Sequence, residues 1–243
     1  MNAIETKALT RRFGDTTAVN ALDLTVREGE LFSLLGVNGA GKTTTIRMLC
    51  GLLSPTEGDA LLLGRSVVRE TAQVKALIGV SPQETAVGPQ LTVKENLLLM
   101  AGLHGLSRAE SAEKAGALLR GLHLDEVAGK KAKTLSGGWM RRLSIAMALV
   151  SEPKILFLDE PTLGLDVLIR RELWQVIRSL KGKSTVILTT HYLEEAEALS
   201  DRIGIMAHGR LTALGTAEEL KAQAGAASFE DAFVSLAGEE API

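Results

Sequence analysis

The chain holds one cysteine, one tyrosine and six prolines in 243 residues, and aromatic residues make up only 3% of it. A single thiol cannot form an internal bridge, so a disulfide-stapled secreted scaffold is excluded and a reducing compartment fits. Cys50 lies in the apolar segment 46–53, where a small buried hydrophobe is expected. Long hydrophobic runs are missing too. The greasiest stretches, 97–103 and 145–150, fall far short of the ~20 residues that cross a bilayer. Met1 opens a polar, strand-like segment without the apolar core of a signal peptide. Charge of one sign is also scarce: 27 basic residues against 29 acidic ones leave a formal charge of −2. That balance argues against general attraction to nucleic acid or anionic lipid. Basic residues cluster at Arg11 and Arg12, over 130–133, and at Arg141 and Arg142; each cluster reads as a solvated face.

What is present is an ordinary globular balance, 46% hydrophobic and 23% charged, long enough for one large domain or a core with an inserted subdomain. Residues 3–35 read as strands. Segment 21–26 alternates small or polar with apolar residues, and the short continuous apolar run Leu31–Leu35 marks a strand buried on both faces of a parallel sheet. A glycine loop leads to a helix over 43–52, then a turn at 55–58 and strands at 60–63 and 77–80. From about residue 92 to 150 Leu, Ala, Glu, Lys and Arg recur at helical spacing, with breaks at 102–106 and 129–133. Strand signals return at 155–158, 185–189 and 202–206, with helices near 168–180 and 192–199. Alternating strands and helices predict an α/β core around a mainly parallel sheet. We expect one domain over 1–220, a helical subdomain inserted at about 84–150, and a tail over 221–243 with a weak helical patch at 229–236.

Gly36-Val37-Asn38-Gly39-Ala40-Gly41-Lys42-Thr43 matches the P-loop pattern in its proper setting, a buried strand before and a helix after. Glycines let successive N–H groups face a phosphate chain, and the helix N-terminus adds partial positive charge. Lys42 is the residue to reach the β- and γ-phosphates, and the Thr43 hydroxyl the one to ligate Mg²⁺. The apolar strand 155–158 ends in Asp159 and Glu160, two carboxylates where ligands sit in open α/β sheets. Asp159 is placed to hold Mg²⁺, and Glu160 to polarise a water attacking the γ-phosphorus.

Leu135-Ser136-Gly137-Gly138 resembles the signature motif of ATP-binding cassette proteins, and it lies between the P-loop and the acidic strand as in that family. The serine hydroxyl, glycine N–H groups and following helix form a second anion site. The resemblance spans roughly residues 3–220. It implies a P-loop NTPase (RecA-like) core with an N-terminal antiparallel β subdomain and an inserted helical subdomain. It also implies ATP and Mg²⁺ as ligands, and two subunits, most simply two copies, pairing head to tail around two ATP molecules. Gln83 matches the loop glutamine that senses Mg²⁺ and the attacking water, His191 the switch histidine at the γ-phosphate, and Asp166 the aspartate of the dimer seam. Asp166 also stands where a helix N-cap belongs, and both roles can hold at once. Phe13 lies where a ring stacks on adenine, with a core position as the competing reading. The implied catalytic set is Lys42, Gln83, Glu160 and His191, with Thr43, Gln83 and Asp159 at the metal. The implied nucleotide contacts come from Phe13, Gly36, Asn38, Gly39, Ala40, Gly41, Lys42, Thr43, Thr44, Ser136, Gly137, Gly138 and Asp166. Trp139 departs from the family, which has glutamine or methionine there more often, as does Leu163-Gly164 in the loop before Asp166.

The segments around Leu135, Glu160 and His191, and the tail from Ser228 to Phe233, are similar to cassettes of drug-resistance exporters of the ABC-2 type. That implies an ATPase peripheral to the cytoplasmic face of the membrane, driving export through a separately encoded permease, with no nucleic-acid partner. A soluble cassette ATPase without transport is the first alternative. Ribosomal members carry two cassettes and chromosomal ones a long coiled-coil insertion, and membrane association separates these readings. A binding-only regulatory module is the second, and Mg²⁺-ATPase activity discriminates it.

Overall fold

A computed structural model describes residues 1–238 of the chain. The N-terminal strands β1 (Asn2–Phe13), β2 (Thr16–Leu22) and β3 (Thr25–Arg27) precede β4 (Leu31–Leu35), and α1 (Lys42–Leu49) follows the glycine loop. Next come β5 (Glu57–Leu62), β6 (Arg65–Ser66), α2 (Thr71–Leu77) and β7 (Ile78–Ser81). Helices α3 (Val93–Leu103), α4 (Arg108–Gly121) and α5 (Gly137–Leu149) lie between β7 and β8 (Ile155–Asp159). The chain continues through α6 (Val167–Arg178), β9 (Thr185–Thr190), α7 (Leu193–Leu199), β10 (Arg202–Ala207), β11 (Arg210–Gly215), α8 (Ala217–Ala224) and α9 (Phe229–Ala237).

The larger sheet has the order β11-β10-β4-β9-β8-β7, parallel except for β11. Its strands β4, β8 and β9 are buried at every position, which is why they appear in the sequence as short, mainly apolar runs closed by small or polar residues. The smaller sheet is antiparallel, β2-β1-β5-β6, with β3 also on β1. Helices α3, α4 and α5 form one core with β8, β9 and α6, while α1 lies in a second core between the two sheets. A third cluster docks α9 on β10 through Phe229 and Phe233, each buried aromatic contributing about 1.5–3 kcal/mol.

Several boundaries differ from the expectation. Segment 21–26 is not one strand: the Thr6 hydroxyl donates to Leu22 O at 2.6 Å and accepts from Leu24 N at 2.8 Å, breaking the ladder between β2 and β3. The turn at 55–58 is shorter than expected, since Glu57 and Gly58 already belong to β5 beside an irregular register between Lys7 and Thr10. Strands β6 and β11 and helices α2 and α8 were not expected. The tail is mostly structured over its described part, and 239–243 lie outside the described residues.

Candidate nucleotide site

Parallel strands deliver their C-terminal ends to one edge, and four of them do so here. β4 ends at Leu35 before the glycine loop, β8 at Asp159, β9 at Thr190 before His191, and β7 at Ser81 before Gln83. A cavity of about 350 Å³ at this edge is lined by Ala18, residues 38–44, Gln83, Glu160, Leu163 and His191. Gly41 caps α1 at φ 101°, where a side chain would strain the backbone and a Cβ would meet Ala18 O at 2.5 Å. The loop therefore curls tightly onto the N-terminus of α1, a setting suited to phosphate.

Lys42 folds back into the loop. Its Nζ donates to Gly36 O at 2.7 Å and Val37 O at 3.2 Å and stands 3.4 Å from Glu160 Oε1, both side chains being 6% exposed. Burial pulls the ammonium pKa below its ordinary value, while the charge and hydrogen bond of Glu160, then the charge of Asp159, pull it back. Glu160 takes a left-handed φ of 49°, and its N–H reaches both the carbonyl and the hydroxyl of Thr189. Strain of this kind persists only where surrounding structure over-determines it. Its other carboxylate oxygen lies 2.8 Å from His191 Nδ1. Thr189 also donates to Asp159 Oδ1 at 2.5 Å, and Thr43 donates to the same oxygen at 3.2 Å. A buried cation, two buried carboxylates, a hydroxyl and an imidazole thus converge on a glycine cradle.

The structure brings Lys42, Thr43, Thr44, Gln83, Glu160 and His191 to this cavity with Asn38, Gly39, Ala40 and Gly41. Asp159 stands just behind, bonded to Thr43. Gly36 lies under the loop, where an added Cβ would meet Met206 O at 2.4 Å. Ser136, Gly137, Gly138 and Asp166 do not line the cavity. They sit together elsewhere: a Cβ on Gly137 would touch Leu165 at 3.4 Å, and Asp166 caps α6 through Leu168 N and Ile169 N. Ser136 precedes α5 as its N-cap, but its hydroxyl makes no capping bond. Phe13 also lies outside the cavity lining; it is 47% exposed, not a core residue, and the Arg11 guanidinium stacks 4.5 Å from its ring centre.

Sequence reading missed four residues here. Thr189 links Asp159 to Glu160, and Glu195 is fully buried behind them. Arg141 and Arg142 are not a solvated face: each is 7% exposed. Arg141 donates to Pro82 O and Gln83 O, while Arg142 pairs with Glu172 at 2.5 Å and stacks on Trp139. Their place in the first turns of the helix opened by the signature motif was the available signal.

A parallel sheet whose strand ends carry a glycine cradle, a buried lysine and paired carboxylates defines a P-loop ATPase. The family model described as "ABC transporter" matches residues 19–163, and a shorter match over 136–195 is to "AAA domain, putative AbiEii toxin, Type IV TA system". The chain is 46% identical to the daunorubicin/doxorubicin resistance ATP-binding protein DrrA of Streptomyces peucetius over 92% of this chain and 68% of that protein. A solved structure entitled "Structure of ATP binding subunit of ABC transporter" superposes with a TM-score of 0.86 and 30% identity, covering 97% of this chain and all of that one. A dimeric post-hydrolysis structure of the cassette MJ0796, bound to ADP and Pi, superposes at 0.80 with 27% identity over 88% of this chain and 98% of that one. The chain belongs to the ATP-binding cassette transporter family, and it is an ATP-hydrolysing subunit of that family.

Proposed function

We propose that this subunit drives export of a drug-like compound through a separately encoded membrane permease, working as a dimer that encloses two ATP molecules. The observation that carries the ATPase half is the Glu160 carboxylate held between Lys42 Nζ and His191 Nδ1 at the mouth of the glycine cradle. The export half rests on the likeness to DrrA, a drug-resistance protein by name. No helix among the described residues is long and apolar enough to cross a membrane; in this reading the permease supplies the path.

The chain's own residues divide the work. N–H groups of 38–44 and the α1 N-terminus cradle the phosphates, and Lys42 swings from its Gly36 and Val37 carbonyls to the β- and γ-oxygens. Glu160 accepts the proton of an attacking water. His191, bonded to the same carboxylate, orients it and faces the γ-phosphate. Thr43 and Asp159, with Gln83 at the same cavity, are the donors that would hold Mg²⁺. Phosphate oxygens and water would supply the rest of its ligands. When bound, the ion neutralises charge on the phosphate oxygens. Phe13 offers its free face to adenine, and its other face is held by Arg11. Ser136, Gly137 and Gly138 at the α5 N-terminus, with Asp166 beside them, serve the nucleotide of the opposite subunit.

Purified Glu160→Gln should keep ATP affinity, lose about 10²–10⁴-fold in turnover and accumulate as an ATP-bound dimer. Lys42→Ala should lose tight nucleotide binding. Brisk turnover by the Gln variant would falsify the role of Glu160 as base. Reconstitution with a membrane protein that co-purifies with the chain tests export: ATP-dependent efflux of daunorubicin from proteoliposomes is expected, and permease-independent ATPase activity with no membrane association refutes it.

A further inference from the structure

Arg141 lies one turn into α5, the helix opened by Ser136, Gly137 and Gly138. Its two terminal nitrogens donate to successive backbone carbonyls beyond β7, Nη1 to Pro82 O at 2.8 Å and Nη2 to Gln83 O at 3.0 Å. Only 7% of the residue is exposed, and among the described residues no carboxylate lies within ion-pair distance of it. An unpaired buried cation is costly, so its placement here needs a compensating field. Burial pulls the guanidinium pKa down, and the carboxylates of Asp159, Glu160 and Glu195, in that order, pull it back up. Glu160 and Gln83 line the nucleotide cavity, and Asp159 stands just behind it, bonded to Thr43.

We propose that Arg141 is a positioning residue that clamps the Gln83 backbone to the signature helix, so that both move as one body. The inference rests on the reading above, in which Gln83 meets the subunit's own nucleotide and Ser136 meets the partner's. The clamp then passes the state of one composite site to the other through a single helical turn. An arginine suits the task because its rigid fork presents two donors at a spacing that matches two consecutive carbonyls. A lysine ammonium at the same place reaches one carbonyl at a time.

The test compares full-length wild type, Arg141→Ala and Arg141→Lys by steady-state kinetics, binding of a fluorescent ATP analogue without metal, and hydrogen exchange. For Arg141→Ala we expect kcat to fall at least about tenfold, the scale on which small misplacements near a reacting centre act, with analogue affinity within about twofold of wild type. Amide exchange over 82–91 should rise while the melting temperature stays close to wild type. Arg141→Lys should recover part of both kcat and protection. Wild-type kcat together with wild-type exchange over 82–91 in Arg141→Ala overturns the proposal. If Arg141→Ala does not fold, Arg141→Lys decides: full activity with unchanged exchange also overturns it. Absence of analogue binding by the wild type would count against the ATPase reading instead, which keeps the two failures distinct.

Discussion

Glu195 sits at 0% exposure with the Trp174 indole donating to one oxygen at 2.9 Å, and among the described residues its second oxygen has no partner. Burial raises its pKa; the Trp174 N–H opposes the shift, and the charge of Glu160 reinforces it. A raised folded-state pKa means that the native state holds this proton more tightly than the unfolded chain does. The stabilisation is therefore fully present below the unfolded value of about 4.3 and is lost as pH rises through the folded value. Glu195→Gln carries no charge at any pH, so its melting temperature should gain on wild type as pH rises above about 4.3, and level off once the folded-state carboxyl has titrated. A difference that stays constant from about pH 4 upward sinks the assignment. Such residues were not legible in the sequence because burial of a charge is a tertiary property: Glu195 and Arg141 look like surface residues of α7 and α5. Lys42 and Glu160 were legible because glycine spacing and an apolar strand end define their surroundings locally.

Helices α5 and α6 approach each other closely at Gly138, where an added Cβ would lie 2.4 Å from Ile169 Cγ2. The signature glycine is therefore also a packing device, setting the α5 N-terminus against the element that Asp166 caps. Gly138→Ala should cost about 1–3 kcal/mol through overpacking, roughly 2–12 °C in a chain of this size. Ile169→Ala removes the clashing methyl, so the double variant should be more stable than the sum of the two single effects by about 1 kcal/mol or more. Strict additivity in thermal denaturation contradicts the contact. The elements most readable in advance were β4, β8 and β9, whose burial on both faces leaves short, mainly apolar runs. Helices α3 and α4 fall within the stretch read as helical on either side of the break at 102–106, and the structure gives each a complete capping box, at Thr92 and Ser107. Edge elements were lost. Strand β11 alternates weakly, α2 and α8 each bury a single residue, and the break at Asp23 depends on a hydroxyl seventeen residues away, that of Thr6.

One chain presents its glycine cradle and its signature helix as separate places, since none of Ser136, Gly137, Gly138 or Asp166 lines the cavity that Lys42 and Glu160 share. If both are needed for one nucleotide, each must be completed by a second copy, and two such contacts close a symmetric pair. Exposed Leu163, Val167 and Leu168 beside Asp166 give that face apolar surface of its own. The dimeric MJ0796 structure, with ADP and Pi bound, shows that a similar cassette pairs. The arrangement predicts complementation without hydrolysis. In a Glu160→Gln background, neither Ser136→Arg nor Lys42→Ala alone forms an intact composite site, so each should stay monomeric with ATP. Mixed, the cradle of the first variant meets the signature helix of the second, and one intact site forms per pair. Gel filtration should then show a dimer that appears only on mixing and holds one nucleotide per two chains. If the Glu160→Gln parent dimerises with ATP and the mixture does not, the sites are not shared between subunits.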